Sequence, residues 1–357
     1  MKPLKAIAGA TLLAAFTCMA ATAEESAKST LITNAVVFDG VNEELQEGVD
    51  VLIEGNLIKQ IGKEIATPEG AEVIDAGGKT LMPGLIDAHW HMMWAKLSVP
   101  VVMSKDAFYL GIMAAQTAEE DLMRGFTTLR DAGGNTFGLK QAIDEGLTPG
   151  ARIYPSGALV SQTSGHADFR PKLQPDDPPY LETSGHAIIA DGVPEVIHAV
   201  RKQLRAGATQ IKLNAGGGVS SDLDPLDVRQ YTMDELRAAV ETADTWNTYV
   251  CVHAIGGDAA RAAIEAGVQC IEHGMLMSEE TVKLMAEKGV WLSIQPILND
   301  EDAIPFPPGS VNQMKFEQVA EGTDRVYKLA KKYGVKTAFG TDVIFDPELC
   351  KKHGKLL

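Results

Sequence analysis

Leu81-Met82-Pro83-Gly84-Leu85-Ile86-Asp87-Ala88-His89-Trp90-His91 is the stretch on which the fold turns. Before it the chain runs in short alternating apolar pieces, and after Pro83-Gly84 it runs in apolar strands separated by helix-like segments. Within the stretch, alternation along a strand points His89 and His91 to one face and Trp90 to the other. Two imidazoles on one face at a strand end can share one divalent transition metal. A lone His-x-His pair is weak evidence, and it is the later strands that give it meaning.

Downstream, eight strands are expected, over 85–91, 126–131, 152–160, 210–214, 249–253, 268–273, 290–295 and 335–342. Helices are expected between them, among others over 193–206, 233–245, 258–266 and 279–287. Eight parallel strands alternating with helices predict an α/β fold, a (β/α)8 barrel over 83–357. The segment 169–182, with Pro171, Pro175, Pro178 and Pro179, is expected to be a loop over the barrel mouth. Upstream, over 24–82, Leu31-Ile32, Ala35-Val36-Val37-Phe38, Val51-Leu52-Ile53 and Leu57-Ile58 are separated by Asp39-Gly40 and Gly55-Asn56 turns, the pattern of a small β module.

The 357 residues, 45% hydrophobic and 22% charged, suit a folded protein of one large or two smaller domains. Residues 1–23 read as an export leader: Lys2 and Lys5, a mostly apolar run from Ala6 to Ala20, then Ala21-Thr22-Ala23 as the cleavage site. A periplasmic or secreted protein is therefore expected, without stable membrane insertion, because the apolar run is shorter than the roughly 20 residues of a spanning helix. The formal charge of −16, from 32 basic and 48 acidic residues, excludes nucleic acid as a natural partner. Cys18 would leave with the leader, and Cys251, Cys270 and Cys350 lack both metal spacing and an even count. Cys251 and Cys270, in apolar runs, are expected as small core residues.

Candidate ligands gather at the expected carboxyl ends of the strands, where such a barrel carries its active site. His89 and His91 end the first strand, Lys212 sits on the fourth, His253 ends the fifth, His273 the sixth and Asp342 the eighth. Singly, each histidine reads as well as a core residue, Asp342 as a helix cap and Lys212 as an interior ion-pair partner. Together they can surround two metal ions if Lys212, between Ile211 and Leu213, becomes a carbamate. An amine reacts with carbon dioxide only when neutral, and apolar burial favours that form.

The motifs 83–91, Leu129-Arg130-Asp131-Ala132-Gly133-Gly134, Gln162-Thr163-Ser164-Gly165-His166, 207–212, Val252-His253-Ala254, Ile271-Glu272-His273-Gly274 and Gly340-Thr341-Asp342 carry a further signal. From about Leu31 to Asp342 the chain resembles the amidohydrolase superfamily, in the branch of imidazolonepropionase-like proteins and Xaa-Pro dipeptidases. The resemblance implies a two-metal centre, commonly zinc, held by His89, His91, carbamylated Lys212, His253, His273 and Asp342. It implies hydrolysis of an amide bond in a small-molecule substrate, a dipeptide or an N-acyl amino acid. Related proteins cleave dipeptides ending in Arg or Lys, or bulky N-acyl aromatic amino acids such as ochratoxin A.

In the implied mechanism two metals generate hydroxide from a bridging water, and Asp342 acts as base and then acid. His166 and Tyr231 match positions that contact the substrate carbonyl or the tetrahedral intermediate in dipeptidase-like relatives, although Tyr231 reads equally as a packed aromatic. A homo-oligomer is implied by the resemblance alone. His186, His198 and His353 match no ligand position and are expected to be structural or exposed, and Gly216-Gly217-Gly218 is expected to serve close backbone packing. The loops 92–103 and 169–182 are expected to choose the substrate. Because only 15 residues follow Asp342, the last barrel helix and the strands that in relatives return to complete a small β-sandwich are expected to be missing. Two alternatives remain at this point: a one-metal cyclic-amide hydrolase of the imidazolonepropionase type, against which Lys212 counts, and a non-catalytic binding protein on a barrel scaffold.

Overall fold

The computed structural model describes residues 28–170, 172–173, 180–221, 223–297, 303 and 306–355. The expected leader lies outside them, as does most of the proline-rich part of 169–182. Two compact units divide after Pro83.

In the first unit β1 (Ser29–Val37) pairs antiparallel with β2 (Gln46–Glu54), and β2 with β3 (Leu57–Gly62). Gly55, at φ 63°, supplies the left-handed residue that the two-residue hairpin between β2 and β3 requires. The strands β4 (Glu72–Asp75) and β5 (Thr80–Leu81) lie parallel to β1. Ala35, Val37, Val49 and Val51 form the packed face, whereas Leu57, Ile58, Ile61, Val73 and Ile74 are exposed.

The second unit begins with β6 (Leu85–Trp90), α1 (Val99–Val102), α2 (Ala107–Met123), β7 (Phe126–Asp131), α3 (Phe137–Asp144), β8 (Arg152–Pro155) and β9 (Leu159–Ser161). It continues through α4 (Tyr180–Thr183), β10 (Ala187–Ile189), α5 (Val193–Ala206), β11 (Ile211–Asn214), α6 (Met233–Asp244), β12 (Val250–Gly256) and α7 (Gly257–Ala266). It ends with β13 (Cys270–Leu276), α8 (Glu279–Lys288), β14 (Trp291–Ile294), α9 (Val311–Tyr333), β15 (Thr337–Phe339) and α10 (Pro347–Lys351).

Every pairing between these named strands is parallel. One sheet has the order β6-β7-β8 and the other β10-β9-β11-β12-β13-β14-β15. Backbone hydrogen bonds link segments at both margins, Thr209 N–H to Pro155 O and Asp342 N–H to His89 O, each 2.9 Å. The unit is thus an α/β fold on parallel sheet, and helices pack against its strands, burying both apolar side chains and the polar ones of the site. All four residues of β11 are buried.

Helix ends follow local chemistry. Thr232 and Glu235 form a capping box that opens α6, Ser278 caps α8, and Gly207, Gly267 and Gly289 close α5, α7 and α8 in left-handed conformation. The expected strand 152–160 is broken into β8 and β9. Gly157, at φ 73°, turns the chain there, and the Gln203 side chain accepts the Ala158 N–H that a continuous ladder would have used. A strand not foreseen, β10, adds to the edge of β9. Cys251, Cys270 and Cys350 are free and buried.

Candidate metal centre

His89 is the penultimate residue of β6 and His91 follows the strand directly. Trp90 turns to the other side and stacks on His353, with ring centroids 4.0 Å apart. Lys212 lies on β11, His253 on β12 and His273 on β13, and Asp342 follows β15. These side chains converge. Asp342 Oδ1 stands 3.4 Å from His89 Nε2 and 3.3 Å from His91 Nε2, while its Oδ2 stands 3.9 Å from His273 Nδ1. Lys212 Nζ is 3.4 Å from His89 Nε2, and the His253 and His273 rings are 4.4 Å apart.

The outer nitrogens are occupied, which fixes how three rings are turned. His89 Nδ1 is 2.7 Å from Glu272 Oε2, His91 Nδ1 is 3.0 Å from Gly133 O, and His253 Nε2 is 3.1 Å from Gly217 O. For His89 and His91 the free nitrogen faces Asp342. Burial drives the pKa of His89, His253 and His273 down, with further lowering from neighbouring cationic groups, so these imidazoles are neutral, as metal ligands must be. Burial works the other way on Asp342, but His89, His91 and His273 outweigh it and hold its carboxyl below the usual range. Ligand atoms of His89, His273 and Asp342 lie within 4.8 Å of one another. Lys212 is buried with no carboxylate in ion-pairing range among the described residues. Neutral imidazoles around one carboxylate, beside an unpaired buried amine, fit a divalent metal centre.

Residues 80–355 match the Amidohydrolase family. The chain belongs to the amidohydrolase family. It is 32% identical to the ochratoxinase of Aspergillus niger over 338 residues, which cover 89% of this chain and 70% of that protein. Among solved structures it is similar to a prolidase complexed with N-methylphosphonate-L-proline, with 35% identity, a TM-score of 0.84, and 92% of this chain and 84% of that one covered. It is similar also to a Xaa-Pro dipeptidase with bound methionine, with 30% identity, a TM-score of 0.79, and the same two coverages, 92% and 84%. This amidohydrolase is therefore an enzyme that hydrolyses amide bonds, and the alternative of a non-catalytic binder gives way. The family generally uses divalent metals, which the donor set accommodates.

In this amidohydrolase His166 joins the cluster. Its ring stacks on His253 at 4.1 Å, its Nδ1 is 3.0 Å from Asp224 Oδ2, and its Nε2 is 3.4 Å from Ser220 Oγ. Tyr231 does not join. Its phenol donates to Ala190 O at 3.1 Å, its ring packs in the main core, where burial raises its pKa, and it does not line the cavity beside His166. His186 and His353 are buried structural residues, and His198 is exposed. The glycine run packs as expected: a Cβ on Gly217 would meet Pro225 O at 1.8 Å and one on Gly218 the His166 ring at 2.0 Å.

The ligand candidates face a cavity of about 70 Å³ walled by Trp94, Leu159, Phe169, Ile344 and Phe345. A larger cavity of about 670 Å³, between Leu226, Arg261, Thr281 and Met314, contains none of the ligand candidates. Sequence reasoning gave no role to Arg130, Glu272, Asp224 or Lys315. Arg130 and Glu272 sit inside quoted motifs, and a charged residue in an apolar strand was the available signal. Nothing local marks Lys315, which reaches the site from α9.

Proposed function

We propose that this chain is a two-metal amidohydrolase that cleaves dipeptides, Xaa-Pro dipeptides first, or N-acyl amino acids. The observation that carries this is the buried, unpaired Lys212 amine among His89, His91, His253, His273 and Asp342, the setting a bridging carbamate requires. Those six residues would hold the ions, with zinc the expected species, on a (β/α)8 barrel. Bound divalent ions would lower the pKa of water and polarise the amide carbonyl.

The protein's own groups supply the rest. Asp342, held as a carboxylate, accepts a proton from the attacking water at Oδ and returns it to the leaving nitrogen. His166, anchored through Nδ1 by Asp224, lies beside the ligand set, and in its doubly protonated form its Nε2–H would donate to the carbonyl oxygen. Trp94, Leu159, Phe169 and Phe345 exclude water and favour an apolar substrate side chain. Export through the leader, and assembly as a homo-oligomer, belong to the same proposal.

The test is a panel of Xaa-Pro, Xaa-Arg and Xaa-Lys dipeptides and N-acyl phenylalanines, assayed with zinc supplied and then chelated. Hydrolysis of at least one class, abolished by chelation and restored by zinc, is expected. Cleavage of cyclic amides alone would replace the proposal with the one-metal alternative.

A further inference from the structure

Arg130 of β7 lies behind the ligands, and its hydrogen bonds lead to His89. Its Nη2 donates to Glu272 Oε1 at 2.6 Å and its Nε to Ala88 O at 2.6 Å. Glu272 is fully buried, and its second oxygen meets His89 Nδ1 at 2.7 Å. A guanidinium can only donate, so it occupies one carboxylate oxygen and leaves the other to the imidazole. Gln295 Nε2, 3.2 Å from His89 Nδ1, is a donor and would suit the other tautomer, but the carboxylate oxygen at 2.7 Å is the shorter and stronger partner and takes the Nδ1 proton. The same segment serves the second histidine. Asp131 Oδ1 accepts from Gly133 N–H at 3.1 Å, and Gly133 O accepts from His91 Nδ1 at 3.0 Å. A Cβ on Gly133 would approach Leu159 Cδ2 to 2.6 Å and His91 Cε1 to 3.1 Å, so this close approach needs glycine.

We propose that Arg130 and Glu272 are positioning residues that hold His89 as the Nδ1–H tautomer, with its Nε2 lone pair turned toward Lys212 and Asp342. The partners of His91 and His253 are neutral backbone carbonyls, whereas that of His89 is a carboxylate locked by a cation. His89 is accordingly the most strongly oriented of these three rings. The inference rests on the proposed metal role of His89.

Zinc is the probe. Native protein, Glu272→Gln, Arg130→Met and Arg130→Lys are loaded with zinc and titrated with a competing chelator, each metal-free form being checked for native melting. Glu272→Gln and Arg130→Met are expected to release zinc about 10- to 100-fold more readily, with Arg130→Lys in between. A second measurement needs no variant: histidine ¹⁵N resonances of zinc-loaded native protein should show the His89 proton on Nδ1, strongly deshielded. Native-like zinc retention by Glu272→Gln, or a His89 proton on Nε2, overturns the inference while leaving the metal centre intact. Failure of the native chain to retain zinc overturns both.

Discussion

His273 and Asp342 have φ values of 74° and 52°, a left-handed backbone that non-glycine residues adopt at a cost of about 1–3 kcal/mol. Both are ligand candidates, and in Asp342 the strained turn also places the backbone N–H on His89 O. Asp342→Asn keeps the shape but removes the proton acceptor. A fall in kcat of about 10³-fold with unchanged melting is expected, measured by turnover of whichever panel substrate is cleaved. A loss below tenfold would move the base elsewhere. At this scale the residues that converge were legible as ligand candidates because each stands near the end of an apolar run. The role of Glu272 was not, because strand alternation assigns residues 272 and 273 to opposite faces, and the left-handed turn at His273 lets both neighbour His89.

The helix α9 does more than cover a strand. Its Lys315 is buried and donates to the carbonyls of Gly218, Ser221 and Asp224, at 2.9, 2.6 and 2.7 Å, pinning the loop that carries Asp224 under His166. Lys315→Met would leave those carbonyls without their donor. A destabilisation of about 3 kcal/mol is expected in denaturant titration, with a lower kcat/KM. Unchanged stability would mean that water replaces the amine. Elements were legible where local chemistry is self-sufficient: α5, α7 and α8 end at glycines, and α6 and α8 start at capping hydroxyls. The break at Gly157 and the added strand β10 depend on Gln203 and on pairing with β9, partners distant in sequence that no local pattern reveals.

Across the whole second unit, His353 ties the turn after α10 to β6, the first strand of the unit. Its ring lies between Trp90 and Phe126, with Nε2 2.8 Å from Asp87 and Nδ1 3.1 Å from Asp121. Burial opposes its charge, but the bonds to Asp121 and Asp87 prevail and raise its pKa above 6.5. A raised histidine stabilises the fold fully below the unfolded value near 6.5, and that contribution fades as pH rises through the folded value. The difference in melting temperature between native protein and His353→Gln should therefore be largest in mild acid and shrink above neutrality. A pH-independent difference would assign His353 to packing alone.

The order of strands and helices in this unit was legible from the rhythm that begins at Pro83. The coupling of chain end to first strand was not, since His353 matches no motif and its partners lie 232 and 266 residues away. The central claim is a metal pair bridged through Lys212. Amidase activity should be followed while metal-free protein, in bicarbonate buffer, is titrated with zinc, for the native chain and Lys212→Ala. Activity rising to a plateau at two ions per chain, with Lys212→Ala binding fewer and nearly inactive, is the expected result. Full activity at one ion per chain, kept in Lys212→Ala, would contradict it.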